Sequence, residues 1–327
     1  MANLTTSPNL FGGQYKLEAG ISTAAVAGAN DINDGLFQVI PSIKDRFILP
    51  LLDGASNLQQ ASRCAATFGS PASMSNIAID VLPFTDGQTY CKDALADTFY
   101  ADYMAAGVAN TTVPQAVVDT LIDLMVATNQ EKLSNLRWSG DTASADPDLG
   151  AMDGIIVKLV AAGNTISGGT GAVTAANVIS KIQGVIAATP SAIRKNKNFA
   201  IVLSPEIGSL LEAASANVVG VLNQTPLLTN ALSNPSMDYL GVFVQGRIPL
   251  YIAQGLSAGY PGVMLAGRFS NDIFGNFVMV TDATSDLQNV LVQDMEARDF
   301  KQPNLDIRMT LRMGVGVKRT NEVVLYI

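Results

Sequence analysis

The clearest hydrophobic pattern lies in the C-terminal part of the chain, where apolar and polar residues alternate from Asp306 to Lys318. A period of two is typical of a strand that buries one face. Twelve residues of strand would span roughly 40 Å, so the pattern predicts an unusually long strand in a part that is mostly strand. The apolar positions are Ile307, Met309, Leu311, Met313, Val315 and Val317.

Helical spacing predicts a long helix from Pro114 to Arg137, about 36 Å in length at 1.5 Å per residue. The segment 112–115 fits a capping box at its start. A weaker helical pattern begins near Tyr90 and continues to Gly107. The long helix would brace a flat subunit along its length. Its predicted apolar face comprises Val117, Val118, Leu121, Leu124, Met125, Leu133 and Leu136.

The N-terminal part shows weaker periodicity. Residues 1 to about 40 are rich in Gly, Ala, Asn and Thr, and we interpret them as an extended arm that needs a partner surface. Three short strand signals follow at Arg46–Pro50 (closed by the proline), Arg63–Phe68 and Asn76–Leu82. Gly, Ser and Pro separate them, which indicates a long β-hairpin projecting from the body.

The middle of the chain reads as a mixed α/β unit. Thr174 is expected to cap a helix that Pro190 ends, and Ser204-Pro205 is expected to start another, with Ser as the N-cap. Residues 217–240 read as loop. The predicted strands are 199–203, 242–244, 250–252 and 263–265, and the first helix buries Val178, Ile182, Val185 and Ile186.

Composition adds a shortage of charge to this picture. Charged residues make up 15% of the 327 residues, against roughly 25% in typical soluble domains. The net charge is −8 and the mean hydropathy is +0.26, yet no run reaches the ~18 apolar residues of a membrane helix. Two explanations stay open: a surface rich in Ser, Thr, Asn and Gln, or a surface largely buried against other subunits.

The absence of histidine excludes whole classes of enzyme. No imidazole is present to serve a Ser-His-Asp or Cys-His hydrolase, or a histidine zinc site, and two cysteines cannot form a Cys₄ site. We interpret Cys64 and Cys91 as unpaired thiols in a reducing cytoplasm, with a disulfide as the alternative. The N-terminal residues do not resemble a secretory signal, and the acidic chain argues against gripping nucleic acid by charge.

Three segments resemble known functional motifs but lack features that those motifs require. The segment Gly255–Gly259 matches G-x-S-x-G, but no histidine can activate Ser257, so we interpret it as a turn. The segment Gly168–Gly171 lacks the ending of a phosphate loop and reads as a flexible surface loop. The aspartates Asp141, Asp146, Asp148 and Asp153 do not match an EF-hand and read as an acidic solvated loop. We therefore predict no catalytic, cofactor-binding or metal-binding residue; a hydrolase using carboxylates alone would rest on this aspartate loop.

The order of segments, rather than any motif, points to a family. An arm, a long hairpin, a long helix, an α/β insert and long C-terminal strands follow one another, and this order resembles the major capsid protein of tailed bacteriophages, the Hong Kong 97 capsid fold. Local stretches resemble segments of the same family and cover most of the chain. They are 89–93 with the aromatic residues after it, 136–141 with 152–155, 264–270 with 277–280, and 316–324.

The resemblance implies an α+β, Hong Kong 97-like major capsid fold with a long spine helix. Residues 1–45 would be the N-terminal arm and residues 46–90 the extended loop. Residues 91–151 and 266–327 would form the peripheral domain, and residues 152–265 the axial domain. Because the arm starts at once, scaffolding would come from a separate protein or be absent.

The resemblance also implies a function without catalysis or cofactors. The chain would self-assemble as pentamers and hexamers into the icosahedral head shell of a tailed phage, enclosing double-stranded DNA without sequence-specific binding. Expected partners are a portal, a separate scaffolding protein and head accessory or decoration proteins, with no membrane. The protein would be found in the virion after assembly in the bacterial host cytoplasm. Deletion of residues 46–90 would block shell formation while leaving a soluble subunit. The alternative is another non-catalytic phage protein: a tail tube, fibre or decoration protein, nearly all β.

Overall fold

Two six-stranded sheets and one long helix dominate the described part of the chain. The computed structural model describes residues 14–16, 35–53, 73–91, 115–222, 239–243, 248–282, 290–295 and 304–327. The strands are β1 (Gln14–Lys16), β2 (Gln38–Ile40), β3 (Arg46–Asp53), β4 (Ser73–Asp80), β5 (Leu82–Cys91), β6 (Ile166–Gly169), β7 (Phe199–Leu203), β8 (Tyr239–Phe243), β9 (Ile248–Ile252), β10 (Met264–Arg268), β11 (Phe277–Thr281), β12 (Val290–Asp294), β13 (Asn304–Val317) and β14 (Val324–Tyr326). The helices are α1 (Gln115–Ser139), α2 (Ile155–Ala162), α3 (Val178–Ala188), α4 (Ser191–Arg194) and α5 (Pro205–Leu222).

The first sheet is organised around the 14-residue strand β13. Strands β12 and β11 pair with successive halves of one edge of β13, and β5 pairs along the opposite edge, all antiparallel. The predicted long strand with one buried face is confirmed, because its alternate residues from Leu305 to Val317 face the core, with Leu311 only partly buried. Strands β1 and β2 complete the sheet at its two ends.

Helix α1 packs the predicted apolar face onto this sheet. Leu124 is the exception, since its side chain is 58% exposed while Leu121 and Met125 are buried; a step of 100° per residue puts it on the solvent side. The capping segment before α1 lies outside the described residues. The helical pattern predicted from Tyr90 begins too early, because Tyr90 and Cys91 end strand β5; its continuation to Gly107 lies outside the described residues.

The second sheet has the order β6-β14-β10-β7-β9-β8 and separates two cores. In β7, Ala200 and Val202 join the core around α1 and α2, whereas Phe199, Ile201 and Leu203 join a core with α3 and α5. Successive side chains of β7 therefore pack into opposite cores, as expected for a strand in a sheet that is covered on both faces. The predicted mixed α/β unit is confirmed in this region.

Several local predictions in this unit need correction. Helix α3 begins at Val178, with Asn177 in the N-cap position, because Thr174 instead closes a preceding turn through its carbonyl oxygen. The predicted loop 217–240 is partly structured, since α5 continues to residue 222 and β8 begins at residue 239. The predicted start of α5 is confirmed: the Ser204 hydroxyl accepts the Ile207 N–H at 3.4 Å.

The predicted hairpin is confirmed in its pairing and corrected in its bounds. Strand β3 does not end at Pro50 but runs through it, with Pro50 opposite Asn76; a two-stranded ribbon has free edges on which a missing N–H is tolerated. The predicted strand 76–82 is split, because Val81 separates β4 from β5. The predicted strand 63–68 lies outside the described residues.

An aromatic cluster ties the segment before the hairpin to the body. The Phe37 ring lies 5.0 Å from Trp138 at the end of α1 and 6.5 Å from Phe277 in β11. Phe277 in turn stacks on Phe269 at 4.6 Å. The segment 35–40 is thereby anchored before the chain enters the hairpin. No helix within the described ranges is long and apolar enough to cross a membrane.

Candidate assembly surfaces

The hairpin of β3 and β4 is apolar on both faces. Alternate residues of each strand point to opposite sides of a ribbon. On the inner face, Phe47, Leu49, Ile77 and Ile79 pack with Val278 and Val280 of the first sheet. On the outer face, Ile48 is 57% exposed, Leu52 62% and Met74 73%, and Leu52 pairs directly with Met74. Asn76 and the Arg46–Asp80 ion pair share this face, so the face is mostly rather than wholly apolar. Exposed apolar patches bounded by polar residues mark interaction surfaces.

Two glycines of β13 let the hairpin cross the sheet. A Cβ on Gly314 would lie 2.3 Å from the Asp80 carbonyl oxygen, and one on Gly316 would lie 2.6 Å from Cδ1 of Ile79. Both distances are shorter than any real contact, so the crossing depends on glycine at these positions. The hairpin therefore leaves the sheet at a fixed place.

Hydrogen bonds to main-chain carbonyl groups also hold the hairpin in place. The Val81 N–H donates to Asp45 O at 2.6 Å, and the Arg312 guanidinium donates to the carbonyl oxygen of Lys44. Farther along the ribbon, the Arg319 guanidinium donates to Leu52 O at 3.1 Å. The hairpin is thus held at its base and at Leu52, while the side chains of its outer face remain exposed.

The lysines Lys158 and Lys318 are partly buried against main-chain carbonyls. Lys158 Nζ donates to Val315 O at 2.6 Å, and desolvation lowers its pKa despite the nearby carboxylates of Asp153 and Asp80. Desolvation, reinforced by Arg268, lowers the pKa of Lys318 to about 8. Both side chains satisfy carbonyl groups near the end of β13.

The predicted acidic loop holds itself together through its own carboxylates. The Asp141 carboxylate accepts the Ala143 N–H at 2.9 Å, and that of Asp146 accepts the Asp148 N–H at 3.0 Å. The Thr142 N–H and hydroxyl both donate to the Asp153 carboxylate, which lowers the pKa of Asp153. Among the residues that the structure describes, no group of His, Cys, Asp and Glu side chains could hold a metal ion.

The two glycine-rich motifs serve packing. In the G-x-S-x-G segment, a 3₁₀ turn spans 254–256, and a Cβ on Gly255 would lie 2.1 Å from the Ser134 carbonyl oxygen of α1. The turn interpretation agrees with this geometry.

The segment 168–171 is not a flexible loop throughout, because Ile166–Gly169 forms β6, parallel to β14. Beyond it, Lys181 Nζ donates to Thr170 O at 3.1 Å, so a carbonyl group there faces a cation.

The structure describes one of the two cysteines. Cys91 is a free, exposed thiol at the end of β5, while Cys64 lies outside the described residues. Their pairing state stays a prediction.

Sequence reasoning missed several surface residues. Besides the outer face of the hairpin, Ile273 and Phe274 are exposed in the loop between β10 and β11. The signal was weak, because Ile273 and Phe274 are only two apolar residues in an otherwise polar segment, and single exposed apolar residues are common on protein surfaces. Only the pairing of the strands shows which apolar residues remain uncovered.

The comparisons with known proteins rest on structure. No protein-family model and no curated protein sequence matches the chain. A structure from Mycobacterium phage Ogopogo matches with a TM-score of 0.58 at 13% identity, covering 91% of this chain and 92% of that one. The capsid of Myoviridae phage XM1 matches with a TM-score of 0.55 at 12% identity, covering 91% of both chains.

A third match is the capsid of an empty GTA particle, with a TM-score of 0.53 at 16% identity, covering 91% of this chain and 89% of that one. All three alignments span nearly the whole of both chains. The chain therefore has the mixed α/β fold of phage capsid structures.

Proposed function

We propose that the chain is a major capsid protein, which self-assembles into the icosahedral head shell enclosing the double-stranded DNA of a tailed phage. The observation that carries the proposal is the fold, shared along about nine-tenths of each chain with solved capsids. The hairpin supports it independently, because its exposed outer face needs a partner to cover it. The protein would be found in the virion, after assembly in the host cytoplasm.

The proposal includes the Hong Kong 97-like organisation. Residues 1–45 would be the arm, 46–90 the extended loop, 91–151 with 266–327 the peripheral domain, and 152–265 the axial domain. Helix α1 would be the spine helix, and β11, β12 and β13 of the first sheet would belong to the peripheral domain. Strand β5 would join them from the extended loop, and β1 and β2 from the arm. Strand β14 lies in the second sheet, so the peripheral segment would send its last strand into the axial domain.

The proposed role is structural and its partners are other shell components. Identical subunits would form pentamers and hexamers through repeated modest contacts. A portal, a separate scaffolding protein and decoration proteins would complete the head. The acidic chain would enclose DNA without gripping it. Catalysis has no part in the proposal.

Electron microscopy of the expressed chain tests the proposal, alone and together with the proteins of its head. We expect closed shells or capsomers of five- and six-fold symmetry. A chain that stays monomeric under all these conditions, or is absent from the phage head, would refute it. Circular dichroism tests the tail-tube or fibre alternative, which requires a nearly all-β spectrum; α1 alone contributes 25 helical residues.

A further inference from the structure

A loop between β10 and β11 presents two apolar side chains to solvent. In this apolar loop, residues 270–276, the side chain of Ile273 is 72% exposed and that of Phe274 is 58% exposed. The Gly275 N–H donates to Asp272 O at 3.0 Å, and the Asn276 N–H donates to Arg268 O at 2.9 Å. These bonds close the loop into a tight turn with the apolar pair at its tip.

Side-chain hydrogen bonds at the base of the apolar loop also hold it in place. Lys318 Nζ donates to Ile273 O at 2.8 Å and to Gln38 Oε1 at 2.6 Å. The side-chain amide of Asn276 bonds both the N–H and the carbonyl oxygen of Arg319, at 2.8 and 2.7 Å. A segment that is already ordered loses little conformational entropy when it binds, so its apolar tip is suited to insertion into a partner.

A groove elsewhere on the molecule offers a matching site. It lies between α1, β5 and the loop 147–151, has a volume of about 200 Å³ and is floored by Leu133, Leu136, Met309 and Leu311. Pockets for drug-sized ligands occupy roughly 300–1,000 Å³, so this groove suits one or two side chains better than a small molecule. The groove is also lined by the carboxylates of Asp86 and Asp148 and by Lys132, whose Nζ lies 3.1 Å from Asp148 Oδ1.

The groove and the apolar loop of one subunit are too far apart to meet. The groove contacts β13 at Met309 and Leu311, whereas the loop is bound to Lys318, just beyond the end of that strand. Seven residues of extended chain correspond to about 23 Å. The loop of one copy can therefore fill only the groove of another.

We propose that Ile273 and Phe274 of one copy insert into the groove of a second copy. The net charges of the two surfaces have opposite signs. Beside the loop, the cations Arg268, Lys318 and Arg319 outnumber the carboxylates of Asp272 and Glu322. At the groove, the carboxylates of Asp86 and Asp148 outnumber the cation Lys132. Two different patches meet in this contact, and such head-to-tail contacts form a ring when the rotation between successive copies closes. The inference rests on the proposed self-assembly and adds the residues through which neighbouring subunits recognise each other.

Cross-linking between copies tests the contact. Asp272→Cys and Ala151→Cys are introduced together in a Cys64→Ser, Cys91→Ser background. Asp272 is exposed beside the apolar pair, and Ala151 is exposed and lines the groove. With a short bismaleimide, assembled particles should give a ladder of covalent oligomers. The matched control pairs Asp272→Cys with Val160→Cys, which is 53% exposed and does not line the groove. No ladder, or an equal ladder in the control, would overturn the contact.

Two single substitutions test the same contact from its two sides. Phe274→Ser removes the inserted ring, and Ala151→Trp fills the groove. Each should raise the subunit concentration needed for assembly about tenfold, as loss of a central anchor does, while the Val160→Ser control leaves it unchanged. Normal shells from both variants would overturn the contact and leave the capsid proposal standing. An unmodified chain that forms no oligomer under any condition would overturn both.

Discussion

At the scale of single residues, Lys318 joins three parts of the chain at one ammonium group. Its Nζ bonds Gln38 of β2 and the carbonyl oxygen of Ile273, and the side chain extends from the end of β13. Desolvation lowers its pKa to about 8 from an ordinary 10.5. The neutral amine can donate the same hydrogen bonds as the ammonium, so deprotonation removes a desolvation cost and keeps the contacts.

This pKa predicts a pH dependence of subunit stability. Between pH 8 and 10.5 the unfolded chain binds more protons at Lys318 than the folded chain, so the contribution of Lys318 to the free energy of unfolding rises with pH across this window. Urea unfolding of the wild type and of Lys318→Met should therefore show a difference that shifts in favour of the wild type from pH 7.5 to 10. Parallel profiles for the two proteins would contradict the prediction.

At the scale of elements, the crossing of the hairpin over β13 depends on two residues without side chains. We expect Gly314→Ala to lower the free energy of unfolding by about 1–3 kcal/mol, the usual cost of overpacking, because its Cβ would meet the main chain at Asp80. The matched control is Gly184→Ala in α3, where a Cβ meets nothing within 4 Å. This control should raise the free energy of unfolding by about 0.5–1 kcal/mol.

Urea denaturation of the isolated subunit measures both changes. Equal stability of Gly314→Ala and the wild type would mean that the hairpin does not cross β13 at this place. The control separates the effect of the crossing from the general effect of replacing glycine.

Elements whose burial follows a simple period could be predicted from the sequence. Strand β13 and the face of α1 follow their periods over many residues, and Ser204-Pro205 marks the start of α5 by local hydrogen bonding. Where local signals conflict with pairing, prediction failed. Pro50 suggested the end of a strand, and the glycines of β6 suggested a loop, but pairing with β4 and β14 keeps both segments extended.

The pairing partners and the surfaces could not be predicted in the same way. Strands β11 and β12 share one edge of β13, and nothing in their local sequence encodes which half each takes. The segment around Ile273 is mostly polar in sequence, and only the positions of its neighbours show that its two apolar side chains are exposed. The segment order could suggest a capsid fold, but contacts between distant residues decide which apolar groups stay uncovered.

At the scale of the whole molecule, the hairpin packs one apolar face on the first sheet and leaves the other exposed. Replacing Leu52 and Met74 together by asparagine should leave the free energy of unfolding within about 0.5 kcal/mol, as expected for exposed positions. The yield of shells should nevertheless fall several-fold, because the outer face would no longer be apolar. Microscopy and sedimentation at matched concentrations measure that yield.

The inner face supplies the matched control. Ile77→Asn places an amide against the cluster around Val278 and Val280, so it should destabilise the subunit itself. Normal shells from the Leu52→Asn, Met74→Asn protein would contradict the role of the outer face. A deletion of residues 46–90 would separate these effects poorly, because it also removes most of β5 from the first sheet.

The position of β14 sets when the subunit can finish folding during synthesis. This three-residue strand lies between β6 and β10, so the second sheet stays split until residue 326 has left the ribosome. Its partner β6 is made about 160 residues earlier, and bringing such distant segments together is slow. A chain interrupted before Val324 would lack the strand that joins β6 to the sheet, so we expect such truncated chains to be excluded from a growing particle.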